Sequence, residues 1–487
     1  MPTKSVQFRL RSLFWAVTCC ATLLCVRETF IRPNIDGVTL RGDQVVLRLT
    51  PEYAQQVYPA DSNPTGWELD TYAVIPLNSA LIFGSLIVAA SVAMFCVLRL
   101  PSRRRNQHRQ ASVGIWVSMF MASILLSQAA ALAEDRVFQT HSRLTLGTEA
   151  NRSASVRIGD IDGDQDLDVV IANGRHWPQQ NFVFVNQGTA KFSIMRNLGD
   201  ERATTYATEL ADLDGDGDGD LDVVVGNDQA PCRVFLNDGS GRFRRGENFG
   251  VVSSIRSLTL ADLDGDGDVD ILATSRGMPN RIYRNDGDAH FDTGRPFGTA
   301  NDSTIDVAVA DLNGDGHLDL ILANRDSQQN YVLLNNGHME FTKRIPFGTG
   351  RDQTRAVAVG DLDGDGNLDW VVGNIGEPNA VYLGDGNGGV RDSTTVGNAK
   401  GATYTIAIAD MDRDGNADLI VGNVLQPNAV LFNQGDGKNF REVRFGERAN
   451  ATYSLAVGDL NGDGYPDIAV ANSDAENFVF INRRRRK

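Results

Sequence analysis

Cysteine is scarce and unevenly placed. Four of the five, Cys19, Cys20, Cys25 and Cys96, lie in apolar runs before residue 100, and Cys232 stands alone in the rest of the 487-residue chain. A lone thiol has no intramolecular partner, so the larger part of the protein must fold without a disulfide framework. Histidine is nearly as rare. His141, His176, His290, His317 and His338 fall in unrelated segments, and no Ser/His/Asp or Cys/His grouping recurs that would suggest nucleophilic catalysis. Glycine, at 49 residues, has no collagen period, and a 42% hydrophobic composition excludes a wholly disordered chain. The length implies either more than one domain or one repeat architecture with additions.

Charge divides the chain in two. Residues 1–133 carry 12 Lys/Arg against 7 Asp/Glu, whereas 134–487 carry 34 against 55, a balance of −21. The first part holds three uncharged apolar stretches at about 13–26, 74–98 and 113–133. The first is short for a membrane span, which needs about 20 apolar residues; the other two are long enough. Lys4, Arg9 and Arg11 precede the first stretch, and Arg99, Arg103, Arg104, Arg105 and Arg109 follow the second. The positive-inside rule then predicts an α-helical membrane region that leaves residues after 133 outside the cytoplasm. The third stretch, with its basic flank and Ala131-Leu132-Ala133 end, also reads as a bacterial-type signal peptide. Two outcomes are open, a tethered domain or one released after Ala133. Residues 27–73 are too few for a confident core of their own. Arg41-Gly42-Asp43 within them is a three-residue match of the kind expected by chance.

Beyond residue 134 one pattern recurs. Aspartate-rich loops begin at Asp160, Asp212, Asp262, Asp311, Asp361, Asp410 and Asp459, spaced by 52, 50, 49, 50, 49 and 49 residues. Alternating apolar residues precede each loop, a β-rich run such as Val223-Val224-Val225 follows it, and a second apolar run leads through a Gly turn to a strand closing in Phe-Gly. Four short strands per unit, repeated seven times, predict an all-β, seven-bladed β-propeller occupying 134–487. The last unit ends after its third strand, and an orphan strand from Phe138 to Gly147 precedes the first unit. The N-terminal strand is therefore expected to complete the last blade and close the ring.

The loop Asp262-Leu-Asp264-Gly-Asp266-Gly267-Asp268-Val-Asp270 places carboxylates at positions 1, 3, 5 and 9 and glycine at 6, the ligand logic of a calcium loop. Oxygen-only donors in a flexible, carboxylate-rich loop suit Ca2+ better than Mg2+, up to one ion per blade. Asp361, Asp363, Asp365 and Asp369 form a complete set, as do Asp410, Asp412, Asp414 and Asp418. Asn313 joins Asp311, Asp315 and Asp319, and Asn461 joins Asp459, Asp463 and Asp467; these two sites bring less charge. The first loop offers Asp160, Asp162, Asp164 and Asp168, but Gln165 stands where glycine is expected and should strain the turn. The second loop, Asp212 to Asp222, is two residues longer and has two possible registers; counting from its end gives Asp214, Asp216, Asp218 and Asp222. An EF-hand would need a Glu at position 12, where the third loop has Ala273 in a predicted strand. These loops supply 26 of the 55 acidic residues of the region, so its acidity is mostly site chemistry, and nucleic acid is not an expected partner.

The in-phase D-x-[DN]-x-[DN]-G-x-x-D loops and closing Phe-Gly pairs resemble the FG-GAP/VCBS repeats of integrin α-subunit-like β-propellers, over about residues 136–482. The resemblance implies a calcium-stabilised, usually extracellular propeller serving adhesion or contact with protein or carbohydrate. It also implies a backbone carbonyl ligand at position 7, occupied here by Asp268, His317, Asn367, Asn416 or Tyr465.

Strand alternation puts the aspartate loops on one face of the disc and the connections between strands 2 and 3, and between units, on the other. The largest of those connections contains Arg175, His176 and Trp177, a candidate partner-binding group. Packing of Trp177 over its own blade is the weightier reading; Trp370, in a strand, is expected in the core. The expectation is a non-catalytic binding protein at the cell surface. The alternative is a propeller-fold polysaccharide lyase or hydrolase with its site at the central opening.

Overall fold

The computed structural model describes residues 35–41, 44–49, 72–76, 136–215, 219–446 and 450–485. The chain divides into two compact units, Met1–Ala130 and Ala131–Lys487. In the first, the strands Ile35–Arg41, Gln44–Leu49 and Tyr72–Pro76 form an antiparallel sheet in that order. Arg41 stands opposite Gln44 and Gln44 opposite Pro76. This small sheet was not expected, and it takes residues 74–76 from the start of the second apolar stretch. The stretches at 13–26 and 113–133, and the rest of 74–98, lie outside the described residues. Among the described residues no helix is long and apolar enough to cross a membrane.

The second unit is an all-β propeller. Its strands pair antiparallel, and in chain order in every sheet but the one that closes the ring, as short, β-branched runs separated by Gly and Asp turns dictate. The second strand of each repeat unit is buried from end to end, as in Asp319–Asn324 and Asp369–Asn374. A neighbouring sheet covers each of its faces, which is why it reads as a continuous apolar run rather than an alternating one. The outermost strands, such as Val390–Val396, are mostly exposed. The core lies between adjacent units: Trp370, Phe347 and Tyr382 pack with Ile321 and Val332, so Trp370 is a core residue. Cys232 is buried and unpaired, and burial pushes its thiol up to about 11.

The expectation of seven separate four-stranded blades is corrected to six blades. Four sheets have four strands, one has six and one has five. The strand Arg244–Ala261 runs unbroken from the outer edge of the second repeat unit to the inner edge of the third. Along the way it pairs first with Asp222–Leu236 and then with Asp270–Ser275. The connection that elsewhere separates two units here stays in the ladder, and two repeats share one sheet.

Closure of the ring follows the expectation. The N-terminal strand Arg136–Gln139 pairs with the end of Asn477–Arg484, Ile481 opposite Gln139, and Thr145–Leu146 pairs with its beginning. Apolar residues of the first and last units, among them Val156, Ile171, Ala469 and Val479, form one cluster across the seam.

A buried polar relay joins the units as well. Asn181 Nδ2 donates to Thr205 Oγ1 of the next unit, and Thr205 donates to Asn227 Oδ1. The same pattern links Asn280 to Thr304, Asn330 to Thr354 and Asn428 to Thr452. It closes on itself when Asn477 Nδ2 donates to Ser153 Oγ at 2.9 Å. Buried amides are retained only when satisfied, so each of these asparagines specifies how one unit docks on the next. Asn477→Ala is expected to lower unfolding stability by about 2 kcal/mol, since it orphans the buried Asn472 N–H that Asn477 accepts and removes the donor to Ser153 Oγ, which keeps only its own bond to Asn173. Chemical denaturation measures this, and an unchanged midpoint would mean that the seam does not depend on the relay.

Candidate metal loops and central channel

Each aspartate loop connects the first strand of its unit to the second, and its four acidic positions have different surroundings. The position-1 carboxylate folds the loop around itself. Asp262 Oδ1 accepts from Gly265 N and Oδ2 from Gly267 N; Asp311 and Asp361 repeat this with their own glycines. Gly267 has φ +98°, a backbone state that lets position 6 turn its N–H inward. Gln165 adopts φ +72° to do the same and still donates to Asp160 Oδ2 at 2.9 Å, so the first loop keeps the turn at the strain anticipated for a side chain there. Position-5 residues accept from the amide of position 7, as Asp315 does from His317 and Asp414 from Asn416.

The position-9 residues, Asp168, Asp222, Asp270, Asp319, Asp369, Asp418 and Asp467, are almost wholly buried, at 0 or 1% exposure. Each binds two backbone amides. Asp418 Oδ2 accepts from Met411 N and Oδ1 from Asn433 N, at 2.9 and 2.8 Å. Asn433 in turn donates through Nδ2 to Leu362 O, in the preceding unit's loop, and Asn482 does the same to Met411 O. The position-9 carboxylate is thus a fold element as well as a possible ligand, a role that spacing alone did not reveal.

In the second loop, Gly215 N donates to Asp212 and Leu213 N to Asp222 Oδ2. Asp212 is therefore position 1 and Asp214 position 3. The register counted from the loop's end is corrected, because the two additional residues are taken up before Asp222. Asp216 and Asp218 lie outside the described residues.

Acceptor atoms converge within 4.8 Å in Asp160, Asp162 and Asp168, in Asp212, Asp214 and Asp222, in Asp262, Asp264 and Asp270, and in Asp361, Asp363 and Asp365. Position 3 provides the test of fit. Asp162, Asp264 and Asp412 each have a buried Oδ1 without a hydrogen-bond partner. A buried carboxylate oxygen lacking a donor is costly, and a hard cation is the partner that an all-oxygen cluster suits. In the third loop Asp262 and Asp270 spend one lone pair per oxygen on backbone amides and retain others. A calcium ion would be held by positions 1, 3, 5 and 9. In the fifth loop the Arg391 guanidinium lies 2.5 Å from Asp363 and 2.9 Å from Asp365, supplying positive charge from the outer strand.

On the opposite face the strands surround a central cavity of about 710 Å3. Arg175 and His176 line it; the His176 ring bonds the Tyr206 hydroxyl at 2.9 Å, and Arg175 lies over the Tyr453 ring. Trp177 does not join them. It is 62% exposed, which overturns its expected packing over the blade. Deeper in, Arg157 pairs with Glu209, and Asp306 accepts amides from Val307 and Val357. The sequence reading missed the cavity's other polar residues, Tyr206, Arg256, Arg355, Tyr404 and Tyr453. Their signal is positional: each lies six residues before the first aspartate of its loop.

The FG-GAP-like repeat matches residues 160–218, 216–273, 262–322, 311–372, 361–421 and 414–470, more than half of the chain. The chain belongs to the FG-GAP-like repeat family. No curated protein matches this FG-GAP-like chain. Among solved structures, BBS1N in complex with ARL6DN, soaked with lead, is similar at 14% identity and a TM-score of 0.51, covering 72% of this chain and 98% of that one. The mercury-soaked crystal of the same complex matches at 13% and 0.49, covering 72% and 97%. At these identities the likeness is one of fold. The acidic clusters of the FG-GAP-like propeller are those a calcium-binding member would use.

Two outcomes follow for these loops. Asp412→Asn is expected to lower the melting temperature in calcium but not in chelator, where it removes a buried carboxylate already pushed up to about 6 by burial and by Asp414 and Asp410. Asp418→Ala should lower it in both, through the two amides it abandons. Equal effects of the two variants in both conditions would argue against a metal at this loop. The second outcome concerns pH. Burial raises Asp168, Asp418 and Asp467 to about 7 and Asp222 and Asp270 to about 6. The unfolded value is about 3.9. The folded state then binds more protons than the unfolded, so stability in chelator should fall as pH rises from about 4 to about 7. A cation favours the ionised forms and should flatten that slope, which thermal melts across pH would show.

Proposed function

We propose that this protein is a non-catalytic binding module held outside the cytoplasm, with calcium in its aspartate loops and a protein or carbohydrate partner on the opposite face. The observation that carries the calcium part is the partnerless, buried position-3 oxygen of Asp162, Asp264 and Asp412. The binding part rests on the family and on the division of labour between faces. One face carries the aspartate loops, while the other presents an open cavity lined by Arg175 and His176, with the exposed Trp177 next in the chain. Assembly with a protein, as in the complex of BBS1N with ARL6DN, is one form such binding would take. Location is inferred from the apolar stretches and the 99–109 arginine cluster, which orient residues after 133 outward, either tethered or released after Ala133. The reading includes adhesion at a bacterial cell surface.

The enzyme alternative has one structural feature in its favour, carboxylates inside the central cavity. Asp306, pushed up to about 7 by burial, uses both oxygens on backbone amides, and Glu209 is paired with Arg157. Neither is placed as an unengaged acid or base, which favours binding over turnover.

The deciding experiment is calorimetry of the purified protein in calcium and in chelator, together with its metal content. Several bound calcium ions and a large rise in unfolding temperature are expected, since each site held at a hundred times its Kd adds about 2.7 kcal/mol. No metal and no shift would leave the loops as turns and end the calcium reading.

A further inference from the structure

The first strand of every repeat unit carries an irregularity at the same place. Register shifts fall between Ser153 and Ser155, Thr205 and Ala207, Ile255 and Ser257, Thr304 and Asp306, Thr354 and Ala356, Thr403 and Thr405, and Thr452 and Ser454. A bulge leaves one residue out of the ladder and re-aims its side chain. Five of the seven bulged residues are Tyr or Arg, namely Tyr206, Arg256, Arg355, Tyr404 and Tyr453, and all five line the central cavity. Connections between strands 2 and 3 add Arg175, Arg276 and Arg325 to the same wall. The result is a collar of five guanidinium groups and three phenols at one mouth of a strongly acidic propeller.

Two of these cations stack closely on tyrosine rings, and three have no carboxylate partner among the described residues. Arg175 stacks 3.7 Å from the Tyr453 ring centre and Arg256 lies 4.3 Å from that of Tyr206. Tyr404 meets Tyr453 edge to face at 4.8 Å. Carboxylates answer only two of the five: Asp228 at 3.4 Å from Arg256, and Asp326 at 2.9 Å from Arg325. Arg175, Arg276 and Arg355 form no ion pair among the described residues, and Arg355 Nε is buried without a hydrogen-bond partner. The neighbouring His176 is pushed below its ordinary value by burial and by Arg175, Arg152 and Arg256, as expected beside an excess of positive charge. Like charges gathered in a cleft repel one another and destabilise the fold, while the cleft walls focus their field on whatever enters.

We infer that this collar is a binding site for a compact, multiply charged oxyanion, of carboxylate, sulfate or phosphate type, received by guanidinium groups pre-oriented on tyrosine rings. Guanidinium matches all three groups through paired N–H donors, and stacking holds it ready at little entropic cost. The cavity volume falls within the 300–1,000 Å3 range, roughly, of small-ligand sites. This inference goes beyond the reading above and does not need the aspartate loops to hold calcium.

The test is titration calorimetry of the full chain with citrate, sulfate and inorganic phosphate, each at the same fixed ionic strength. Saturable one-to-one binding of at least one probe is expected, and the tightest probe identifies the oxyanion type. Arg256→Gln and Arg355→Gln should each weaken it tenfold or more, while Arg242→Gln, on an exposed turn between outer strands, should leave it unchanged. Arg276→Gln, at the rim and without an ion pair, covers the case in which a deeper variant fails to fold, and it should weaken binding at least threefold. No saturable binding of any probe, or equal loss in Arg242→Gln and Arg276→Gln, would overturn the proposal.

Discussion

The propeller depends on a buried carboxylate that binds two backbone amides, one from its own loop and one from the far end of the following hairpin. At the head of each second strand an aspartate accepts one N–H from the start of its own loop and one from the end of the third strand. Charge-assisted bonds of this kind are about twice as strong as neutral ones, and they fix the loop against the sheet where no disulfide is available. The asparagine whose amide is held then reaches into the preceding unit's loop. One side chain thus sets the shape of a loop, the end of a strand and the docking of a neighbour. Burial raises the carboxylates' pKa, so the same residues that organise the ring carry an electrostatic load that a cation would relieve.

Much of the fold was legible because it is written in periodicity. Seven in-phase loops, the apolar runs between them and the unmatched strands at either end predicted a closed propeller, and Trp370 and the seam lie where that pattern places them. The count of blades was not legible. Whether a connection leaves the ladder depends on pairing between Arg244–Ala261 and Asp222–Leu236, to which spacing is blind. The loop chemistry was visible as ligand spacing, yet the second role of position 9 was hidden, because a buried aspartate and an exposed one look alike in sequence. The register of the second loop stayed open in the sequence for a related reason: an insertion is placed by hydrogen bonds, not by counting from one end. Arg175 and His176 were found through loop length, whereas Arg256, Arg355 and the tyrosines became visible only when a bulge turned them inward.

The two faces of the disc have opposite electrostatic character. Carboxylates crowd the loop face, and arginines crowd the mouth of the channel on the other, with Arg157, Glu209 and Asp306 between them. The separation arises from strand polarity alone: each first strand begins at the arginine mouth and ends at the aspartate loop. Repetition of one unit around an axis therefore multiplies a modest asymmetry into a field across the whole domain.

The strand shared by the second and third repeats has a mechanical consequence. Elsewhere in the ring adjacent units meet through side chains and scattered backbone bonds, such as Ala190 N to Leu460 O and Gly388 N to Leu312 O, rather than through a shared strand, and such contacts permit more sliding and tilting. Along Arg244–Ala261 the junction is a hydrogen-bonded backbone, which resists both. The ring is accordingly a band with one splinted arc, and any widening of the channel must be absorbed by the remaining junctions. Arg256 sits on the splint, a fixed reference point on the cavity wall while the residues facing it ride on units that can shift.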